Sequence, residues 1–74
     1  MDYSFAENLK WYRKQQKLTQ HRLAKKIGVS QVLVCEWEKG VRYPSVDKVY
    51  DIARALNIEA HILLRQVEKT KNEK

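Results

Sequence analysis

The chain has 74 residues, 43% of them apolar, with fifteen Lys and Arg against nine Asp and Glu, a net charge of +6 at pH 7 and an isoelectric point near 9.6. One domain of this size buries only about 60% of its unfolded surface, near the lower limit for folding without a staple. No staple is on offer: the lone Cys35 closes no intrachain disulfide, and no set of Cys and His has metal-ligand spacing.

The opening MDYSFAEN lacks the basic region and apolar core of a secretory signal. The longest strictly apolar stretch, residues 32–35, is far shorter than the roughly 20 residues needed to span a membrane. A cytoplasmic setting without a membrane partner is the expectation. An enzyme is not expected, because there is no Gly-rich phosphate loop, no paired-carboxylate cleft and no nucleophile with a base and an orienting group. Nor is a cofactor. The positive charge is concentrated: residues 1–44 hold nine basic against four acidic residues, a net of +5, and residues 45–74 six against five. Such an asymmetry favours a polyanionic partner, although basic solvated helices without one are common.

Gly28, Gly40 and Pro44 alone punctuate the chain, and strand-like alternation is missing, which predicts an all-helical protein. The first helix starts at Ser4, with Glu7 completing a capping box, and its inner stripe is Phe5, Leu9 and Tyr12. Trp11 falls off that stripe and is expected to be partly exposed. Thr19 caps a second helix over residues 20–27, with Leu23, Ala24 and Ile27 inward, and Gly28 stops it. Ser30 caps a third helix running to about Lys39, with Val34 and Trp37 inward, and Gly40 supplies its left-handed exit. An extended connection at Arg42, Tyr43 and Pro44 leads to a fourth helix capped by Ser45, with Val46, Val49, Ile52, Ala53 and Leu56 inward. Asn57 ends it, and a fifth helix covers residues 59–67. Residues 1–67 are then one domain and residues 68–74 a charged, disordered tail.

Two helices joined by a short turn at 90–120° need a small residue where they nearly touch, a corner residue free to take positive φ, and apolar locks on the second helix. Ala24, Gly28, Val34 and Trp37 meet these needs, completed by Leu23, Ile27 and Val29. The pattern is that of a helix-turn-helix.

From Phe5 to Leu64 the sequence resembles the Xre-type helix-turn-helix domains of phage repressor and Cro proteins. The resemblance is carried by Arg13, Leu18-Thr19-Gln20, Leu23-Ala24, Gly28-Val29-Ser30, Glu38 and Gly40, Pro44-Ser45, and Ala53 with Leu56. It implies an all-α, compact, five-helix lambda-repressor-like DNA-binding domain with the helix-turn-helix at its second and third helices. It also implies a third helix in the major groove and a dimer on a partly palindromic operator. It further implies that Arg13 and Glu38 pair as a structural unit, with an edge of Arg13 still able to reach a phosphate, and that Gln20 contacts a phosphate.

With Val34 and Trp37 inward, the outward positions of the third helix are Gln31, Val32, Cys35 and Glu36, flanked by Leu33 and Lys39. Glutamine pairs with adenine, a valine methyl packs on a thymine methyl, and glutamate accepts from cytosine N4. Gln31 is the first choice for base contact, followed by Val32 and Glu36, with Cys35 also facing the groove. Glu36 departs from the basic or amide residue of many relatives, and reads equally as a cytosine reader or a solvated residue. Cys35 reads better as a small neutral side chain than as a redox switch, since no second thiol is at hand. Gln20 at a helix N-terminus and Lys39, Arg42 and Tyr43 just past the third helix are the candidate phosphate contacts, joined by Arg22 and Lys25, which project from the second helix. His21 and His61, 40 residues apart and without acidic company in sequence, read as ordinary surface residues.

Ile62, Leu64 and Val67 are apolar in excess of what packing by Ile58 and Leu63 requires. They read as a homodimer face, the plain alternative being a broader core contact. The functional reading is a sequence-specific double-stranded DNA-binding regulator of transcription, a repressor in the usual outcome, in the cytoplasm and associated with the nucleoid. The alternative is an antitoxin-like module holding an unknown protein partner, for which Val32, Leu33, Ile62 and Leu64 speak.

Overall fold

Short polar residues open the middle helices by replacing backbone partners that a helix start lacks. Thr19 Oγ1 accepts the Arg22 N–H at 3.0 Å, Ser30 Oγ the Leu33 N–H at 3.1 Å, and Ser45 Oγ the Lys48 N–H at 3.3 Å. A computed structural model describes residues 4–65, which form α1 (Ser4–Gln15), α2 (Gln20–Ile27), α3 (Gln31–Lys39), α4 (Val46–Leu56) and α5 (Ala60–Leu64). The fold is all-α, and among the described residues there is no strand.

The exits are equally local. Gly28 and Gly40 both take φ 78°, and each donates its N–H back into the helix it ends. A Cβ at Gly28 would meet open space, so φ alone reserves the position for glycine. Asn57 ends α4 at φ 62°, as expected of an amide in the left-handed region. Lys17 ends α1 at φ 59°, with the Leu18 N–H bonded to the Arg13 carbonyl at 3.2 Å, an exit that no glycine announces.

The apolar faces meet in one core: Phe5 and Leu9 of α1, Leu23 and Ala24 of α2, Val34 and Trp37 of α3, Val49, Ile52, Ala53 and Leu56 of α4, and Leu63 of α5. Trp11 is off this core and exposed, as expected. Three expectations need correction. Val46 is not inward but 70% exposed, because it opens α4 a turn ahead of the buried stripe that begins at Val49. The fifth helix is shorter than residues 59–67: Glu59 makes no side-chain cap bond, and the backbone turns extended at Arg65, with ψ 142°. Leu33 packs against the core and so is not a free apolar surface. Val67 and the 68–74 tail lie outside the described residues.

The α5 exit carries a tie that sequence reading missed. Asn8 Nδ2, on α1, donates to the carbonyls of Leu63 and Arg65, each at 2.8 Å. A helix end leaves carbonyls without partners, and here a side chain from the opposite end of the chain supplies one.

Candidate nucleic-acid interface

The site is built on the angle between α2 and α3, fixed from inside by Leu23, Ala24, Val34 and Trp37. A polar clamp locks α3 to α1. Arg13 Nε donates to Glu38 Oε2 at 2.6 Å, Arg13 Nη2 to Glu38 Oε1 at 3.1 Å, and Arg13 Nη1 to the Leu18 carbonyl at 2.7 Å. Gln20 Nε2 adds a third bond to Glu38, donating to Oε1 at 3.0 Å. The pairing implied for Arg13 and Glu38 is therefore present and two-pronged, with side chains only 10% and 3% exposed. Gln20 spends one amide N–H on Glu38, and its amide nitrogen carries a second.

With its inner side held, α3 turns Gln31 and Val32 to the surface, Val32 at 65% exposure, while Cys35 and Glu36 lie half-buried on the same outward side. Lys39 at the end of α3 is exposed, as is Arg22 on α2. Arg42, past the Gly40 turn, folds back on α3: its Nε donates to Glu36 Oε1 at 2.9 Å. Among the described residues, no carboxylate pairs with Arg22, Lys25, Lys26 or Lys39, so this side of the molecule keeps its positive charge.

Tyr43 is exposed, but its ring lies 5.2 Å from that of Phe5 at 50°, which fixes the connection to the start of α1. Thus Gln20, Arg22, Gln31, Val32, Cys35, Glu36, Lys39, Arg42 and Tyr43 lie on α2, α3 and the connection that follows, whereas Arg13 and Glu38 lie beneath. Ile62 is half-buried and Leu64 exposed on α5, apart from this surface in the fold. His61 has acidic company after all, its Nδ1 lying 3.3 Å from Glu59 Oε1 at the surface.

The pairing of Glu36 with Arg42 was not read from the sequence. A signal existed: an acid on the last turns of α3 and a base two residues past a left-handed Gly40 that reverses the chain. Lys39 offered the acid a competing partner, so sequence alone did not choose between them.

This arrangement is that of a helix-turn-helix DNA-binding domain. Residues 9–63 match the Helix-turn-helix family, and the chain belongs to it. It is 38% identical over 61 residues to an uncharacterized HTH-type transcriptional regulator of Bacillus subtilis (strain 168), YqaE. That match covers 82% of this chain but only 53% of the relative, so the chain spans about half the length of that protein.

Among solved structures, the chain is similar to the restriction-modification controller protein C.AhdI from Aeromonas hydrophila (32% identity, TM-score 0.78, covering 81% of this chain and 91% of that one). It is also similar to the P22 c2 repressor in complex with a synthetic operator (29% identity, TM-score 0.76, covering 80% and 89%). The same fold occurs within the iron enzyme HppE (30% identity, TM-score 0.78), where the similarity covers 85% of this chain but 37% of that one. The fold is thus that of repressor-type transcription regulators. No described helix is long and apolar enough to cross a membrane.

Proposed function

We propose that this protein is a sequence-specific double-stranded DNA-binding regulator of transcription that reads the major groove with α3. One observation carries the reading. The outward face of α3, bearing Gln31, Val32, Cys35 and Glu36, is flanked by Lys39 and Arg42, and its acid is already paired. In this docking Gln31 pairs with an adenine, Val32 packs on a thymine methyl, Glu36 accepts from cytosine N4, and Cys35 is a small neutral neighbour. The second amide N–H of Gln20, the exposed Arg22, Lys39 and Arg42, and the hydroxyl of Tyr43 hold the phosphates. The P22 c2 repressor bound to its operator supports the docking by likeness.

The protein works as a homodimer through the α5 side, where Leu64 is 52% exposed, with Ile62 beside it and Val67 beyond the described residues. Two copies then set their α3 helices about 34 Å apart, one turn of duplex, on a partly palindromic operator. Repression by occluding polymerase is the outcome, in the cytoplasm and on the nucleoid. No catalytic step and no cofactor is part of this reading.

The exposed Val32 and Leu64 favour a second reading, a module that holds a protein partner. Salt separates the two. With six phosphates neutralised across a dimer, log affinity for duplex should fall against log salt with a slope of about −5, whereas capture of a partner through apolar surface should be nearly indifferent to salt. Replacing Gln31 by alanine should weaken the preferred duplex by about 1–3 kcal/mol and relax one base position. A salt-indifferent affinity, or unchanged specificity in Gln31→Ala, would refute the docking.

A further inference from the structure

A carboxylate carried toward a phosphate backbone is repelled unless a cation neutralises it. Glu36 is the acid on the outward side of α3, since the other acid of that helix, Glu38, is clamped inside by Arg13 and Gln20. Arg42 meets Glu36 across the Gly40 turn, its Nε 2.9 Å from Oε1. The two side chains are 63% and 35% exposed, and an ion pair this open does little for the fold. Among the described residues the pair has no third member, so Glu36 Oε2 and the two terminal nitrogens of Arg42 are left without a hydrogen-bond partner there.

We propose that Glu36 and Arg42 act as one specificity-determining unit. Arg42 holds and neutralises the carboxylate so that Oε2 accepts a hydrogen of a cytosine N4 amino group in the major groove, while the terminal guanidinium nitrogens donate to the neighbouring phosphate. This rests on the DNA-reading role given to α3 above. It makes Arg42 a positioning residue for base discrimination as well as a phosphate contact. Without Arg42 the carboxylate turns from reader to repellent. A glutamine at position 36 needs no counter-charge and pairs with adenine instead.

The test begins with the duplex that the full chain enriches from a randomised pool, and with the same duplex carrying A·T at the C·G pair assigned to Glu36. Dissociation constants are measured on both for the parent chain, Glu36→Gln, Arg42→Ala and the double variant, with thermal melts to confirm folding. On the enriched duplex, Arg42→Ala should lose about a hundredfold and the double variant only about tenfold, a departure from additivity that marks a coupled pair. Glu36→Gln should move the preference at one position from cytosine to adenine. Additive losses with an unchanged preference overturn the proposal and leave the DNA-reading role standing. A parent chain that enriches no sequence overturns both.

Discussion

Arg13 uses three of its nitrogens on two acceptors, the Glu38 carboxylate and the Leu18 carbonyl, in a site where it is 8% exposed. Truncating one member of such a buried pair strands the other, at a cost of about 3–5 kcal/mol. For a domain of this size, Arg13→Ala should therefore lower the melting temperature by at least about 12 °C, and an unchanged melt would remove the clamp from the account. Arg42 offers the contrast at the same scale: its pair with Glu36 is open to water, and surface pairs are worth about 0–1 kcal/mol. The Arg13 and Glu38 pairing could be expected because both residues fall on a family pattern. The third bond, from Gln20, could not, because it depends on where α2 begins relative to the end of α3, a tertiary distance that spacing alone does not encode.

At the scale of the element, starts and stops were legible wherever a residue type enforces them. Thr19, Ser30 and Ser45 cap, and Gly28, Gly40 and Asn57 exit, each by chemistry that is local to a few residues. Legibility ended where tertiary contact decides. Lys17 adopts the left-handed exit of α1 without being a residue that favours it, held there by the Leu18 to Arg13 backbone bond and the packing of Leu18. The end of α5 is held by Asn8 of the adjoining α1, and Val46, the first residue of α4, lies ahead of the buried stripe that begins at Val49. Asn8→Ala should accordingly destabilise the protein by about 1–2 kcal/mol and raise amide exchange selectively in α5. Protection of α5 equal to that of the parent would show that the carbonyls have other partners.

For the whole molecule, a small core and an uneven charge divide the labour. The inner residues of all five helices close a single apolar cluster, and the outer side of α2, α3 and the following connection carries basic and hydrogen-bonding residues, with Val32 and Val41 exposed among them. Most of the candidate interface was legible because outward positions on a helix follow once the inward ones are known. The pairing of Glu36 with Arg42 was not, because the turn at Gly40 has to be built before the arginine can be seen to fold back. The proposed function comes to one statement, that α3 reads the bases of duplex DNA in a symmetric pair. Selection from randomised duplex at near-physiological salt, followed by sequencing of the retained pool, tests it most directly. The expected result is an enriched inverted repeat with half-sites one helical turn apart, about 10 base pairs centre to centre. A pool with no enriched sequence, from protein shown to be folded, would contradict it.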